Sequence, residues 1–155
     1  MTGLVAALLL LFPAAVLPAA PANDVEVRIC PTLEEATAGA GTPVLLVFFS
    51  TDCASCYDDL FESRHLVDKG GFPVTVVGVY CGPESTLRAF LEKFAWTLPV
   101  VLDRRKVLFR RFGVDMIPHK ALLAAGREVY RDDPYKDYGR RREDLRECLK
   151  KMFSR

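Results

Sequence analysis

Two continuous apolar runs constrain the fold of this chain more than any other feature. They are VLLVFF at residues 44–49 and VTVVGVY at residues 74–80. Strands that are apolar on both faces are typical of the centre of a parallel sheet covered by helices on both sides. Helical patterns at residues 53–67 and 85–94 follow the two runs. The alternation predicts a single α/β domain rather than an all-β or all-α protein.

Shorter patterns predict the remaining elements. In chain order these are a half-buried strand at 25–29, a short helix behind the capping-box residues Thr32 and Glu35, a strand at 98–102, a short helix closed by Gly113, a hairpin turning at Ala125-Gly126 and a charged helix at 140–153. The order is β-α-β-α-β-α-β-α-β-β-α. It predicts a central mixed sheet flanked by helices, with antiparallel strands near the C-terminus.

The N-terminal segment is a candidate targeting signal. Residues 4–20 carry no charge, and the run is shorter than the ~20 residues of a typical spanning helix. Small residues at 20 and 22 predict cleavage after Ala22, although no Lys or Arg precedes the apolar run. We expect residues 1–22 to be a signal peptide, or an N-terminal anchor, and residues 23–155 to form the domain. The protein would then be exported, to a periplasm or outside the cell.

Charge and cysteine content bound the function. The 21 basic and 20 acidic side chains leave a formal charge of +1, which gives no case for a nucleic-acid partner. Five cysteines occur, and an exported compartment permits disulfides. Because five is odd, at least one thiol has no partner within the chain.

Cys53 and Cys56 lie three residues apart where an apolar strand ends and a helix begins. The free N–H groups and positive dipole at a helix start stabilise a thiolate, which is the reactive form of cysteine. Cys53 would attack a substrate disulfide, and Cys56, one turn later on the same face, would resolve the mixed disulfide. Two other interpretations are half of a zinc site and an ordinary structural disulfide. Zinc lacks a second pair of ligands, since the chain has two histidines and no second C-x-x-C.

The stretches VLLVFFSTDCASC and VVLDRRKVLFRRFGVDMIPHKALLAAGREVY resemble the two halves of thioredoxin-fold proteins. The pattern VVLD…FGV…IP…G is similar to the exported TlpA-like branch, which includes thiol reductases of cytochrome c maturation. The resemblance covers about residues 30–150. It implies that the Ile117-Pro118 bond is cis, lies beside the cysteine pair and shapes a groove where an extended substrate pairs strand-wise.

The resemblance also implies an activity. The protein would be an enzyme, a thiol–disulfide oxidoreductase acting on protein thiols and disulfides, with no metal or organic cofactor. Electrons would come from a membrane or periplasmic redox partner, and the protein would be a monomer. The direction of exchange, whether reduction, oxidation or isomerisation, does not follow from the sequence.

Several positions depart from the family pattern, among them the dipeptide between the cysteines, which is Ala54-Ser55 rather than Gly-Pro or Pro-Pro. Asp52 replaces the usual Trp before the first cysteine, and its negative charge should raise the pKa of Cys53. Val47 stands where many thioredoxins keep a buried acid that moves protons for the resolving thiol. His119 replaces the frequent Thr after the proline; it would tune Cys53 if it touched the site, or be an ordinary surface histidine.

Two alternative functions therefore stay open. One is a thioredoxin-fold binding module with a merely structural disulfide. The other is a thiol peroxidase, since peroxiredoxins share this fold and resemble P-x-x-x-[ST]-x-x-C; Ser50 matches this motif but Leu46 stands in place of the proline.

The remaining candidates are weaker. Cys81 ends the second buried run and is either a third redox thiol or a small buried hydrophobe. Cys30 and Cys148 could staple the first strand to the last helix, although no feature of the sequence fixes that pairing. The aromatic residues around Trp96 are expected in the core. The run Arg140-Arg141-Arg142 is expected to be a solvated helix start.

Overall fold

The computed structural model describes residues 26–154. The elements are β1 (Ile29–Cys30), α1 (Leu33–Ala36), β2 (Val44–Phe49), α2 (Ala54–Asp68), β3 (Thr75–Tyr80), α3 (Glu84–Lys93), β4 (Val100–Leu102), α4 (Val107–Arg111), β5 (His119–Ala124), β6 (Arg127–Arg131) and α5 (Tyr138–Phe153). Every element predicted within these residues is present, in the predicted order. The predicted signal peptide lies outside the described residues. Among the helices between residues 26 and 154, none is long and apolar enough to cross a membrane.

Six strands form one mixed sheet in the order β1-β4-β3-β2-β5-β6. The first four in this order run parallel, whereas β5 is antiparallel to both β2 and β6. The two apolar runs therefore become the central strands, as predicted. Because β2 and β3 are parallel neighbours, the loops that follow them lie at the same edge of the sheet.

The sheet has a hydrophobic cluster on each face, which explains why its central strands are apolar throughout. Leu45, Val47 and Phe49 pack under α2, α3 and α5, while Leu46 and Phe48 pack under α1 and α4. Side chains of a strand alternate between faces, so a strand covered on both sides has no position for an unpaired polar group. We refer below to the α2 face and the α4 face of the sheet.

Local sequence signals account for several element boundaries. The Thr32 hydroxyl caps α1 by accepting a hydrogen bond from the Glu35 N–H at 3.2 Å, as the capping box predicts. Ala125 and Gly126 both have positive φ, which is the backbone of a type I′ hairpin turn between β5 and β6. Gly113, also at positive φ, follows the end of α4.

One prediction for α5 is wrong. Arg140 and Arg142 are exposed as expected of a solvated helix start, but the Arg141 side chain is buried. Its guanidinium points to the α2 face of the sheet, where it meets two buried carboxylates. A run of three arginines therefore places its middle member inward with Leu145 and Leu149, since residues four apart share a helix face.

Candidate active site

Cys53 and Cys56 are joined by a disulfide at the start of α2. Cys53 is the N-cap residue, with extended backbone, and Cys56 is in the first helical turn. The sulfur-bearing side chains differ in access: Cys56 is fully buried in the cluster of the α2 face, whereas Cys53 is half-buried at its margin. Only the first of the two is therefore exposed to a large substrate.

The loop before Cys53 is held by side chains of the helix and of the loop itself. The Tyr57 hydroxyl donates to the Thr51 carbonyl at 2.6 Å, and the Tyr57 ring stacks on Phe90 of α3. The Ser50 hydroxyl donates to the Asp52 carboxylate, and this hydrogen bond lowers the pKa of the exposed Asp52. Asp52 is therefore a carboxylate at neutral pH, one residue from Cys53.

The Ile117-Pro118 peptide bond is cis. Ile117 is partly exposed, and it lines one cleft together with Asp52. The carbonyl of Pro118 accepts a hydrogen bond from the Arg141 guanidinium at 2.9 Å. The predicted groove residue Ile117 and the loop that carries the cysteine pair therefore meet at the same edge of the sheet.

His119 lies on the α4 face. It pairs with Phe48 across β2 and β5, and its ring packs on the Phe48 ring at a centroid distance of 6.0 Å. Burial lowers its pKa, so the imidazole is neutral at pH 7. Cys56 packs on the α2 face, so the sheet separates His119 from Cys56. The alternative of an ordinary surface histidine is wrong, because His119 is buried. Its predicted tuning of Cys53 stays a prediction.

Four charged side chains form a buried cluster under α2. Lys120 donates to Asp59 at 2.7 Å and lies 3.8 Å from Asp132, while Arg141 lies 3.3 Å from Asp59 and 2.8 Å from Asp132. The two acids and two bases balance in charge. Tyr130 closes the cluster, since its hydroxyl donates to Asp132 at 2.6 Å.

Asp59 is the member of this cluster nearest in sequence to the cysteine pair. It lies three residues after Cys56 on α2, and both side chains are fully buried. Residues three apart are neighbours on a helix surface. Burial raises the pKa of Asp59, and the charges of Lys120 and Arg141 offset only part of that rise. The site therefore holds a buried carboxyl group with a raised pKa about one helical turn from Cys56.

Residues 18–130 match the sequence model of the AhpC/TSA family. The chain belongs to the AhpC/TSA family. A search of curated proteins finds no match.

Solved structures agree with this family assignment at the level of the fold. The chain is similar to the exposed lipoprotein thioredoxin of Streptococcus pneumoniae, with 19% identity over 75% of this chain and 89% of that one and a TM-score of 0.60. It is similar to StoA of Bacillus subtilis, with 22% identity over 72% and 84% and a TM-score of 0.53. It is also similar to the thioredoxin domain of a thiol-disulfide oxidoreductase of Bacteroides vulgatus, with 16% identity over 76% and 84% and a TM-score of 0.56. The predicted thioredoxin-like fold is confirmed.

The sequence analysis identified the cysteine pair and the proline but missed the buried cluster. A signal for Asp59 was present, because the inward stripe of α2 runs Cys56, Asp59, Leu60, Ser63 and Leu66 and has an acid among apolar and small residues. No comparable signal existed for its partners. Their meeting depends on how β5, β6 and α5 pack on α2, which no local pattern encodes.

The other three cysteines are free in this structure. Cys30 packs on the α4 face, whereas Cys148 packs against the cluster of the α2 face, so the staple that the sequence left open is not formed. Burial raises the pKa of the Cys148 thiol. Cys81, partly buried, follows β3 and lines the same cleft as Asp52 and Ile117. Between residues 26 and 154, no group of three or more histidine, cysteine or acidic side chains is arranged to hold a metal ion.

Proposed function

We propose that the protein is an exported thiol–disulfide oxidoreductase that acts on protein disulfides through Cys53 and Cys56. The observation that carries the proposal is the asymmetry of the pair. A half-exposed cysteine is the N-cap residue of the helix, and its disulfide partner is fully buried, with the buried Asp59 three residues later on the same helix. This arrangement leaves the Cys53 sulfur accessible to a substrate and protects the Cys56 sulfur in the core, which suits an attacking and a resolving cysteine.

In the reducing direction the steps balance as follows. The Cys53 thiolate attacks one sulfur of the substrate disulfide, and the other substrate sulfur leaves as a thiolate that takes a proton from water. The Cys56 thiol then gives its proton to Asp59 and attacks the Cys53 sulfur. The second substrate sulfur leaves, and the Cys53–Cys56 disulfide forms. The substrate gains two electrons, which a membrane or periplasmic redox partner would later restore to the pair.

Asp59 is the group we assign to the proton step. In the neutral pH range a carboxyl with an ordinary pKa is a poor acceptor, and burial brings the pKa of Asp59 closer to that range. Val47, on the strand beneath, offers no proton-binding group. Substrate binding would involve Ile117 and Pro118, which stay predicted groove residues.

The first test is a redox titration of the full chain. The protein is equilibrated in graded glutathione or dithiothreitol buffers, its thiols are acid-trapped, and the modified cysteines are mapped by mass spectrometry. We expect the Cys53–Cys56 pair to titrate between roughly −120 and −270 mV, where catalytic pairs lie, and the value will indicate an oxidant or a reductant. A pair that stays oxidised below about −300 mV would support the binding-module alternative instead.

The second test separates the two steps. Cys56→Ser should accumulate a mixed disulfide between Cys53 and a peptide substrate, whereas Cys53→Ser should form none. Asp59→Asn should lengthen the life of the mixed disulfide without slowing its formation. Asp132→Asn is the matched control, because it removes the other carboxylate of the same cluster. If both acid variants behave alike, Asp59 has a structural role only.

The peroxidase alternative has its own measurement. Stoichiometric hydrogen peroxide should leave the reduced Cys53 thiol unoxidised, since Leu46 replaces the proline of the peroxidatic motif and the Ser50 hydroxyl is bonded to Asp52. Rapid oxidation of Cys53 by one equivalent of peroxide would instead favour a thiol peroxidase.

A further inference from the structure

A cleft of about 460 Å³ is lined by Asp52, the residue that precedes Cys53. It lies between the loop that follows β2, the loop that follows β3 and Ile117. Asp52 lies on its rim, at the position where the family resemblance leads one to expect a Trp. Because the Asp52 side chain is smaller than that of a Trp, the cleft stays open to a ligand.

The inner surface of the cleft is apolar and aromatic. Phe49, Tyr80 and Phe109 line it, and Ile117 lies beside them. Gly82 permits this arrangement, because a Cβ at that position would overlap the Tyr80 hydroxyl. The cleft can therefore bury a hydrocarbon chain that enters from the substrate groove.

The rim of the cleft is negative. Among the described residues that line it, Asp52 is the one with a charged side chain. Asp52 is exposed, and the Ser50 hydroxyl orients its carboxylate. A ligand that suits the whole cleft must combine an apolar stem with a cationic end.

We propose that this cleft binds a lysine or arginine side chain located next to the reacting cysteine of a polypeptide substrate. These two residues lay their aliphatic stems along apolar surface and keep the charged head at a polar rim. The stem contacts the aromatic floor, and the head meets the Asp52 carboxylate. The inference rests on the proposed function, because it assigns a substrate preference to the same cysteine pair.

The test compares three short peptides that differ only at the residue before a single cysteine: lysine, norleucine or glutamate. Norleucine keeps the stem of lysine without the charge. Each peptide cysteine is activated as a mixed disulfide with 4-thiopyridine, an uncharged leaving group. Attack of the reduced Cys53 thiolate on the peptide sulfur forms the mixed disulfide and releases 4-thiopyridone, which is followed by absorbance. The rate of 4-thiopyridone release measured with the Cys53→Ser variant is subtracted, because that release comes from Cys81 and other thiols.

We expect the order lysine, norleucine, glutamate from fastest to slowest. At low ionic strength the lysine peptide should react on the order of tenfold faster than the glutamate peptide. The Asp52 carboxylate attracts the lysine ammonium and repels the glutamate carboxylate at contact distance. Salt should shrink the ratio. Asp52→Asn should bring the ratio close to one, and Asp52→Lys should invert it. Asp58→Asn, an equal charge change at an exposed site near the start of α2, should leave the ratio unchanged.

Taking the ratio of two peptides cancels any change in the intrinsic reactivity of Cys53. Equal rates for the three peptides with the unaltered protein would overturn the inference, and so would a ratio that survives Asp52→Asn. Either result leaves the proposed function standing, provided that Cys53 exchanges with the norleucine peptide. If no peptide reacts through Cys53, the proposed function itself fails.

Discussion

Replacing Lys120 with methionine should test whether the buried cluster is a set of ion pairs. The Lys120 side chain is only 3% exposed, and its ammonium lies 2.7 Å from the Asp59 carboxylate. Methionine keeps most of the volume of the lysine stem, so little cavity is created. The change chiefly removes one positive charge and leaves Asp59, Asp132 and Arg141 with a net charge of −1.

The structure sets the expected size of the effect. Removing one partner of a buried pair leaves an uncompensated charge and costs about 3–5 kcal/mol. Domains of this size are stable by about 5–15 kcal/mol, so Lys120→Met should lose a large part of the free energy of unfolding. The double variant Asp59→Asn with Lys120→Met restores charge balance. Its loss in free energy of unfolding should therefore be smaller than the sum of the losses of the two single variants, by about 0.5–3 kcal/mol.

The pH dependence gives a second check. Burial raises the pKa of Asp59 above its ordinary value of 3.8, and loss of the Lys120 charge should raise it further. Between 3.8 and the folded-state pKa, folded Asp59 holds a proton that the unfolded chain has released. The free energy of unfolding of Lys120→Met should therefore fall as pH rises through that window. Its deficit relative to the unaltered protein should be smaller near pH 5 than near pH 8.

The assay is urea unfolding followed by circular dichroism, with the comparison restricted to variants whose m-values agree. Arg88→Met is the matched control. It removes one base from an exposed pair with Glu84 at 3.3 Å, and such pairs contribute less than about 1 kcal/mol. If Lys120→Met destabilises no more than this control at neutral pH, the cluster does not act as ion pairs. Strict additivity in the double variant would lead to the same conclusion.

Two further predictions concern the loops of the cleft. Asp52→Asn should lower the pKa of the reduced Cys53 thiol, because it removes a neighbouring negative charge. Thiolate absorbance measured against pH tests this, and an unchanged or higher pKa contradicts it. Gly82→Ala should lower the free energy of unfolding by about 1–3 kcal/mol, because its Cβ would overlap the Tyr80 hydroxyl; thermal unfolding measures this. Gly41→Ala is the control: nothing lies within 4 Å of its Cβ, so the change should be neutral or slightly stabilising. If the two glycine changes have equal effects, the loop that carries Gly82 accommodates the Cβ without strain, and the prediction is wrong.

The fold was largely predictable because its signals are local. A strand buried on both faces must be apolar at every position, so VLLVFF and VTVVGVY identify the centre of the sheet without knowledge of its neighbours. The capping box at Thr32 and the Ala125-Gly126 turn depend on a few consecutive residues. The cysteine pair was predictable for the same reason, since its chemistry follows from the junction of β2 and α2.

The buried cluster was not predictable in this way. Arg141 has the same local surroundings as Arg140 and Arg142, and only the rotation of α5 on the sheet decides which of them turns inward. Likewise, Lys120 lies in a strand that reads as apolar, and its partner on α2 is 61 residues away in sequence. Charge pairs formed by tertiary packing leave no periodic pattern for a single sequence to show.

The comparison with the family pattern considered a buried acid only at the position of Val47. In β2 and β5, Val47 pairs directly with Lys120, so both side chains lie on the α2 face of the sheet. The acid that the family pattern places on β2 is absent, but Asp59 supplies a carboxyl group to the same face from the helix above, where Lys120 meets it. Under the proposed function Asp59 would take the proton of Cys56, and that role does not require an acid on β2 in particular. On this proposal the missing acid at Val47 is no argument against a redox role for Cys56.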